Sequence, residues 1–117
     1  MRFAILLHKT DQSNSHYDLL FEDDMSLLSW KMEDCPFIER KWLNIKKNFP
    51  HRKLYLDYEG EIYNNRGIVE RIDFGTYDFI NRKTLSLKGE KLSGSIRFEF
   101  DPDMEDNRIF FTADENG

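Results

Sequence analysis

The chain opens on Arg2-Phe3-Ala4-Ile5-Leu6-Leu7-His8 and, after seven polar residues, continues His16-Tyr17-Asp18-Leu19-Leu20-Phe21-Glu22. Both runs alternate with a period of two, which is the pattern of a strand and not of a helix. In the first, Phe3, Ile5 and Leu7 share one face and Ala4, Leu6 and His8 the other. In the second, Tyr17, Leu19 and Phe21 oppose His16, Asp18, Leu20 and Glu22. The segment between them, Lys9-Thr10-Asp11-Gln12-Ser13-Asn14-Ser15, is dense in turn formers. Asp23-Asp24 reads as a hairpin turn that returns the chain through Met25 to Met32.

Farther out, strands are predicted from Ile68 to Ile80 with a break at Gly75, from Thr84 to Leu87, across Lys91 to Phe100, and from Arg108 to Ala113. Turns are predicted at Tyr63 to Gly67 and Pro102 to Asn107. Glu33 to Pro50 is the least strand-like part. Pro36 interrupts it, and Ile38, Trp42 and Ile45 fall near the spacing of one helical face, so a short helix is predicted over Phe37 to Asn48. Many short strands with one short flanking helix give a mainly β domain, a small barrel or a sandwich. No repeat, low-complexity tract or linker divides residues 1–117, so a single domain is expected.

The 117 residues carry a net charge of −5, with 33% charged and 15% aromatic residues. That acidity excludes a broad basic coat for duplex DNA but leaves room for a small site that grips one phosphate. The single cysteine, Cys35, excludes an internal disulfide and a multi-cysteine zinc site, and fits a reducing compartment. The first apolar run is too short for a signal peptide, and none approaches the ~20 residues of a membrane span. A cytoplasmic protein is expected. There is no phosphate-cradling glycine loop, nucleophile elbow or zincin helix. Lys46-Lys47 and Arg52-Lys53 flank His51 as small basic pairs. Tyr55, Tyr58 and Tyr63 could stack on bases, although surface charge and core packing are the ordinary uses of such residues.

The chain has three histidines. His16 and Asp18, two apart on a strand, leave the same face of the sheet. If the first two strands pair, His8 joins them from its neighbour. Two imidazoles and a carboxylate with open positions suit Mn²⁺, Zn²⁺ or Fe²⁺. The same spacing also occurs on an ordinary solvated strand face.

Five ordered segments resemble the 3′-phosphoesterase domain of bacterial and archaeal DNA ligase D, the DNA polymerase/ligase N-terminal domain family. Phe3 to His8 followed by His16-Tyr17-Asp18-Leu19-Leu20-Phe21-Glu22 is similar to its lysine-histidine step, polar loop and His-Tyr-Asp-hydrophobic-Arg-Leu-Glu run. Leu27-Leu28-Ser29-Trp30 resembles Leu-Lys-Ser-Trp. His51 to Tyr55 through Asp57-Tyr58-Glu59-Gly60 resembles His-Pro-Leu-Asp-Tyr…Asp-Phe-Glu-Gly. Asp73-Phe74-Gly75-Thr76-Tyr77 and Leu87-Lys88-Gly89-Glu90-Lys91-Leu92-Ser93-Gly94 resemble Asp-x-Gly-Thr-Trp and Leu-x-Gly-Glu-Lys-Leu-x-Gly.

The resemblance implies a small closed or nearly closed β-barrel and metal-dependent trimming of nucleic-acid 3′ ends. A 3′-ribonucleoside and then a 3′-phosphate are removed during DNA end repair, with Mn²⁺ preferred and Zn²⁺ or another transition metal as the alternative. It makes His8, His16 and Asp18 the metal ligands and puts His51 and Tyr55 at the phosphate as the catalytic pair. His51 would protonate the leaving oxygen or, as imidazolium, neutralise the phosphate; Tyr55 would donate to a non-bridging oxygen. The implied partners are DNA or primer-template 3′ ends and a separate ligase or polymerase, with no membrane and a monomeric protein.

Two departures stand out. The family's phosphate-binding arginine is Leu20 here, and its glutamine before the first histidine is Leu6. An arginine fork is a strong phosphate contact, so Arg52, Arg66 or Lys9 would have to replace it, with Arg66 the favoured candidate. The His8 to His16 loop is two residues longer than the family spacing. The sequence begins at the first motif strand, so the acidic and basic residues of the ligase N-terminal arm, and the ligase and polymerase modules, are expected to be absent. Leu20 also motivates the alternative of a metal- and end-binding module that has lost turnover. A structural β-domain without a ligand is the third reading.

Overall fold

The structure is a computed structural model that describes residues 1–10, 14–25, 27–36, 40–62 and 67–114. Alternating sequence becomes alternating burial in nine strands: β1 (Arg2–Lys9), β2 (Ser15–Glu22), β3 (Leu27–Met32), β4 (Trp42–His51), β5 (Gly60–Glu61), β6 (Ile68–Asn81), β7 (Thr84–Gly89), β8 (Ser93–Phe98) and β9 (Asp106–Ala113). They form one antiparallel sheet in the order β1-β2-β3-β4-β9-β8-β7-β6, with the two-residue β5 appended to β6. Pairing of β1 with β6, from Arg2↔Thr76 to Lys9↔Ile68, closes the sheet on itself. The result is the expected small closed β-barrel, and closure removes the free sheet edges that invite aggregation.

Every stave sends side chains inward. Phe3 and Ile5 from β1 meet Leu19, Phe21, Trp30, Met32, Leu43, Ile45, Tyr77, Leu85, Leu87, Ile96, Phe98, Ile109 and Phe111 in one buried cluster. The first two strands bury their outer face as well. Ala4, Leu6, Leu20, Leu27 and Val69 form a second cluster outside the barrel, capped by Leu56 with Tyr55 and Tyr58 against it. The cap is a 3-10 turn, Lys53–Leu56, in which the Tyr55 N–H donates to the Arg52 carbonyl at 3.1 Å.

The helix predicted over Phe37 to Asn48 is not formed where it is described. Residues 42–48 belong to β4, and residues 37–39 lie outside the described set. Leu43 and Ile45 point inward while Asn44 and Lys46 are exposed, a period of two. The helical spacing came from Trp42, which packs on Phe110 of the neighbouring strand instead, with ring centroids 5.3 Å apart. The 3-10 turn, later in the chain, is the sole helical piece among the described residues.

Gly75 does not break its strand either. β6 runs through it, and a Cβ there would lie 1.9 Å from the Lys88 carbonyl oxygen, so glycine allows two strands to approach closely. Next to it, Asp73 is 1% exposed. Its carboxylate accepts the backbone N–H groups of Phe74 at 2.9 Å, Lys91 at 3.0 Å and Leu92 at 3.1 Å. Removing it strands buried donors. Asp73→Ala is expected to cost about 3 kcal/mol or more, a fall in Tm of roughly 10–15 °C, with Asp73→Asn in between; calorimetry checks this.

Arg2 ties the start of β1 to the residue after the 3-10 turn, with Nη2 2.5 Å from Asp57 Oδ1 and side chains 44% and 65% exposed. Its guanidinium holds the Asp57 carboxyl below the ordinary 3.8. A lowered folded-state value gives stabilisation that is complete above 3.8 and lost as pH falls through the lower one. Because the pair is exposed, Asp57→Asn is expected to cost under ~1 kcal/mol near neutrality. The difference from the parent should vanish in acid, as read by urea unfolding across pH.

Candidate functional site

The β1–β2 register sets His8 across from His16, Leu6 across from Asp18, and Ala4 across from Leu20. Directly opposed residues of an antiparallel pair share a face, so all six lie outside the barrel. His8 Nδ1 is 3.2 Å from His16 Nε2, and the two rings meet edge to face. His16 Nε2 is 3.3 Å from Asp18 Oδ1. Asp18 is 3% exposed, and its Oδ1 is buried without a hydrogen-bond partner although the His16 nitrogen is close. One ligand atom from each of the three residues lies within 4.8 Å of the others.

A carboxylate oxygen buried without a partner is costly, and a cation held between it and the imidazoles relieves that cost. The donor set is right for a divalent transition ion with positions left open. His8, His16 and Asp18, paired on spacing alone, are therefore brought together.

His51 and Tyr55 reach the same place by a different route. The β3–β4 register slips between Leu27↔His51 and Ser29↔Asn48, a bulge that re-aims the end of β4. His51 then places Nδ1 3.1 Å from the Phe49 carbonyl. A proton on Nδ1 is donated there, which leaves Nε2 to exchange one. The 3-10 turn follows at once and sets the Tyr55 ring edge-on to His51, 5.6 Å between centroids. A pocket of about 170 Å³ is lined by Leu6, His8, Asp18, His51, Tyr55, Ile62 and Val69. A larger cavity, about 520 Å³ around Trp30, Phe79 and Arg82, contains none of these residues.

The cationic side of the site departs from expectation. Arg52 is exposed and is not among the residues lining the pocket. Lys9 is exposed beside Glu70, at 3.7 Å. Arg66 lies outside the described residues. Leu20 is fully buried and Leu6 nearly so, in the apolar cluster under the 3-10 turn.

Arg71, which the sequence did not single out, stands across from Leu6 on β6. Its Nη1 donates to the Leu56 carbonyl at 3.1 Å, its guanidinium lies 3.8 Å from the Phe74 ring centroid, and Asp57 and Glu59 lie within 4 Å. Arg71 thus anchors the turn that carries Tyr55. A one-residue shift in the β1–β6 register, between Ile5 and Leu6, hides its position from any alternation count.

Cys35 is half-buried; burial and its thiol push the Tyr17 hydroxyl above its ordinary value. No helix among the described residues is long and apolar enough to cross a membrane. No protein-family model matches the chain, and no curated protein matches it at a significant level.

Proposed function

We propose that the chain is a metal-dependent 3′-phosphoesterase that hydrolyses phosphate esters at nucleic-acid 3′ ends, related to the phosphoesterase domain of DNA ligase D. One observation carries the reading: His51 and Tyr55, far along the chain, share a single small pocket with two members of the His8–His16–Asp18 cluster. His8, His16 and Asp18 would hold the ion, with Mn²⁺ the first candidate. A divalent ion there supplies Lewis acidity toward a phosphoryl oxygen.

The rest of the chemistry falls to the chain. Removal of a 3′-ribonucleoside breaks the P–O bond to its 5′ oxygen and leaves a 3′-phosphate, and removal of that phosphate breaks the P–O bond to the 3′ oxygen and leaves a 3′-hydroxyl. Each adds a water oxygen to phosphorus, so each departing oxygen needs a proton. His51 Nε2 supplies it as imidazolium, with the ring held by the Phe49 carbonyl. The Tyr55 hydroxyl donates to a non-bridging oxygen. Leu6, Ile62 and Val69 give the pocket a dry wall, which strengthens these contacts.

Incubation with Mn²⁺ and a primer ending in a 3′-phosphate or a 3′-ribonucleotide tests the proposal. Metal-dependent product that disappears in His51→Ala and His16→Ala is expected; no product, or product indifferent to His16, overturns it. The buried Leu20 and the anchored Arg71 favour one second reading, a module that binds metal and 3′ ends without turnover. That reading requires a Mn²⁺-induced rise in Tm with no cleavage.

A further inference from the structure

Beside the metal cluster, the outer face of the barrel carries an arrangement that the site does not use. Lys31 stands directly across from Asp18 on one side and directly across from Lys46 on the other. Like charges opposed in a sheet repel and weaken it. Lys46 finds Glu105 at 3.8 Å, an exposed pair, while Lys31 has no ion pair among the described residues. The two lysines share a groove of about 420 Å³ with Lys47, Asn48, Phe49 and Glu105.

Phe49 is 85% exposed, although its own carbonyl holds His51. A phenyl ring in water beside two opposed lysines has the components of a single-strand platform: cations for the phosphate backbone and an aromatic face for one unstacked base. The groove joins the candidate site at two points, through Lys31 next to Asp18 and through Phe49 next to His51.

The geometry points to this groove as the track for a single-stranded nucleic-acid segment whose 3′ end enters the His8–His16–Asp18 pocket. The inference rests on the phosphoesterase reading for its direction, but the groove binds through its own residues. A duplex keeps its bases stacked and offers none to Phe49, so the track selects frayed or single-stranded ends.

Fluorescence anisotropy of a labelled oligothymidylate in EDTA tests the track without catalysis. Binding is expected to be tighter for the single strand than for a blunt duplex. Phe49→Ala should weaken it about 5- to 150-fold, the range for loss of one stacked base, whereas Phe49→Trp should retain it and show quenched fluorescence. The slope of log affinity against log salt should fall by about 0.7 for each of Lys31→Ala and Lys46→Ala.

Equal affinity for the duplex, indifference to Phe49→Ala, or equal competition by an acidic peptide overturns the inference. The two proposals fail separately. Mn²⁺-dependent cleavage without this binding pattern removes the track and leaves the phosphoesterase. The binding pattern without cleavage removes the phosphoesterase and leaves the track.

Discussion

Asp18→Asn is expected to abolish metal-dependent turnover while leaving the metal-free fold as stable as before, or more so. The two effects have opposite signs for one reason. Asp18 is buried, and its Oδ1 makes no hydrogen bond although His16 Nε2 lies 3.3 Å away, so the metal-free fold loses no hydrogen bond at that oxygen when the charge is removed. The same charge is what holds a divalent ion against two neutral imidazoles. Asparagine keeps the shape and removes the charge. In EDTA its Tm should therefore equal or exceed the parent's. With Mn²⁺ at a hundredfold excess over Kd the parent gains about 2.7 kcal/mol, on the order of 10 °C, and the variant should gain almost nothing. Turnover should drop at least ~100-fold. A variant less stable in EDTA and still shifted by Mn²⁺ would mean that Asp18 is a structural carboxylate and not a ligand.

The second large effect is expected at Leu20. Leu20→Arg, which places an arginine where the ligase D pattern has one, should destabilise the protein by about 3–5 kcal/mol, the scale of a charge buried in an apolar cluster. Leu20 is fully buried among the apolar side chains of Ala4, Leu6, Leu27 and Leu56, with Asp18 two residues before it on the same face. Leu20→Met, of similar volume, should cost under ~1.5 kcal/mol. Urea unfolding separates the two variants, and the 3′-phosphate assay shows what the arginine does to turnover. An arginine variant that keeps its stability and cleaves faster would show that the 3-10 turn can lift and admit the guanidinium.

The barrel was legible where alternation is strict. β1 and β2 read as strands because each second residue is apolar on both faces, and that doubled burial also marks the place where the 3-10 turn lies over the sheet. β4 was misread because Trp42 and Ile45, three apart, face opposite sides of a strand, a distinction that a spacing count cannot make. The strand at Gly75 looked broken because the reason for the glycine lies in another strand. Within the candidate site, His8, His16 and Asp18 were legible from local spacing and a guessed pairing. His51 and Tyr55 were legible through resemblance alone, because a bulge and a 3-10 turn deliver them. Arg71 was not legible at all, since a register shift conceals which residue it faces.

Two of the quoted segments, around Asp73 and around Gly89, have a shared structural explanation. Asp73 accepts from Lys91 and Leu92, and a Cβ on Gly89 would strike its carboxylate. That half of the resemblance describes a clasp between β6 and the turn from β7 to β8, and none of its residues lines the pocket.

β1 has one partner close by in sequence and the other some seventy residues away, since its pairing with β6 closes the barrel. In synthesis β2 is the first partner available to β1, and the other edge of β1 has none until residues 68–76 emerge. Such distant pairing slows folding and exposes a template for wrong partners in the interval. His8, His16 and Asp18 all belong to the early hairpin, whereas His51, Tyr55 and the clasp come later. A nascent chain thus carries the three side chains proposed to hold the ion before it has a barrel, and on that proposal an ion would clamp the hairpin that contains the waiting strand.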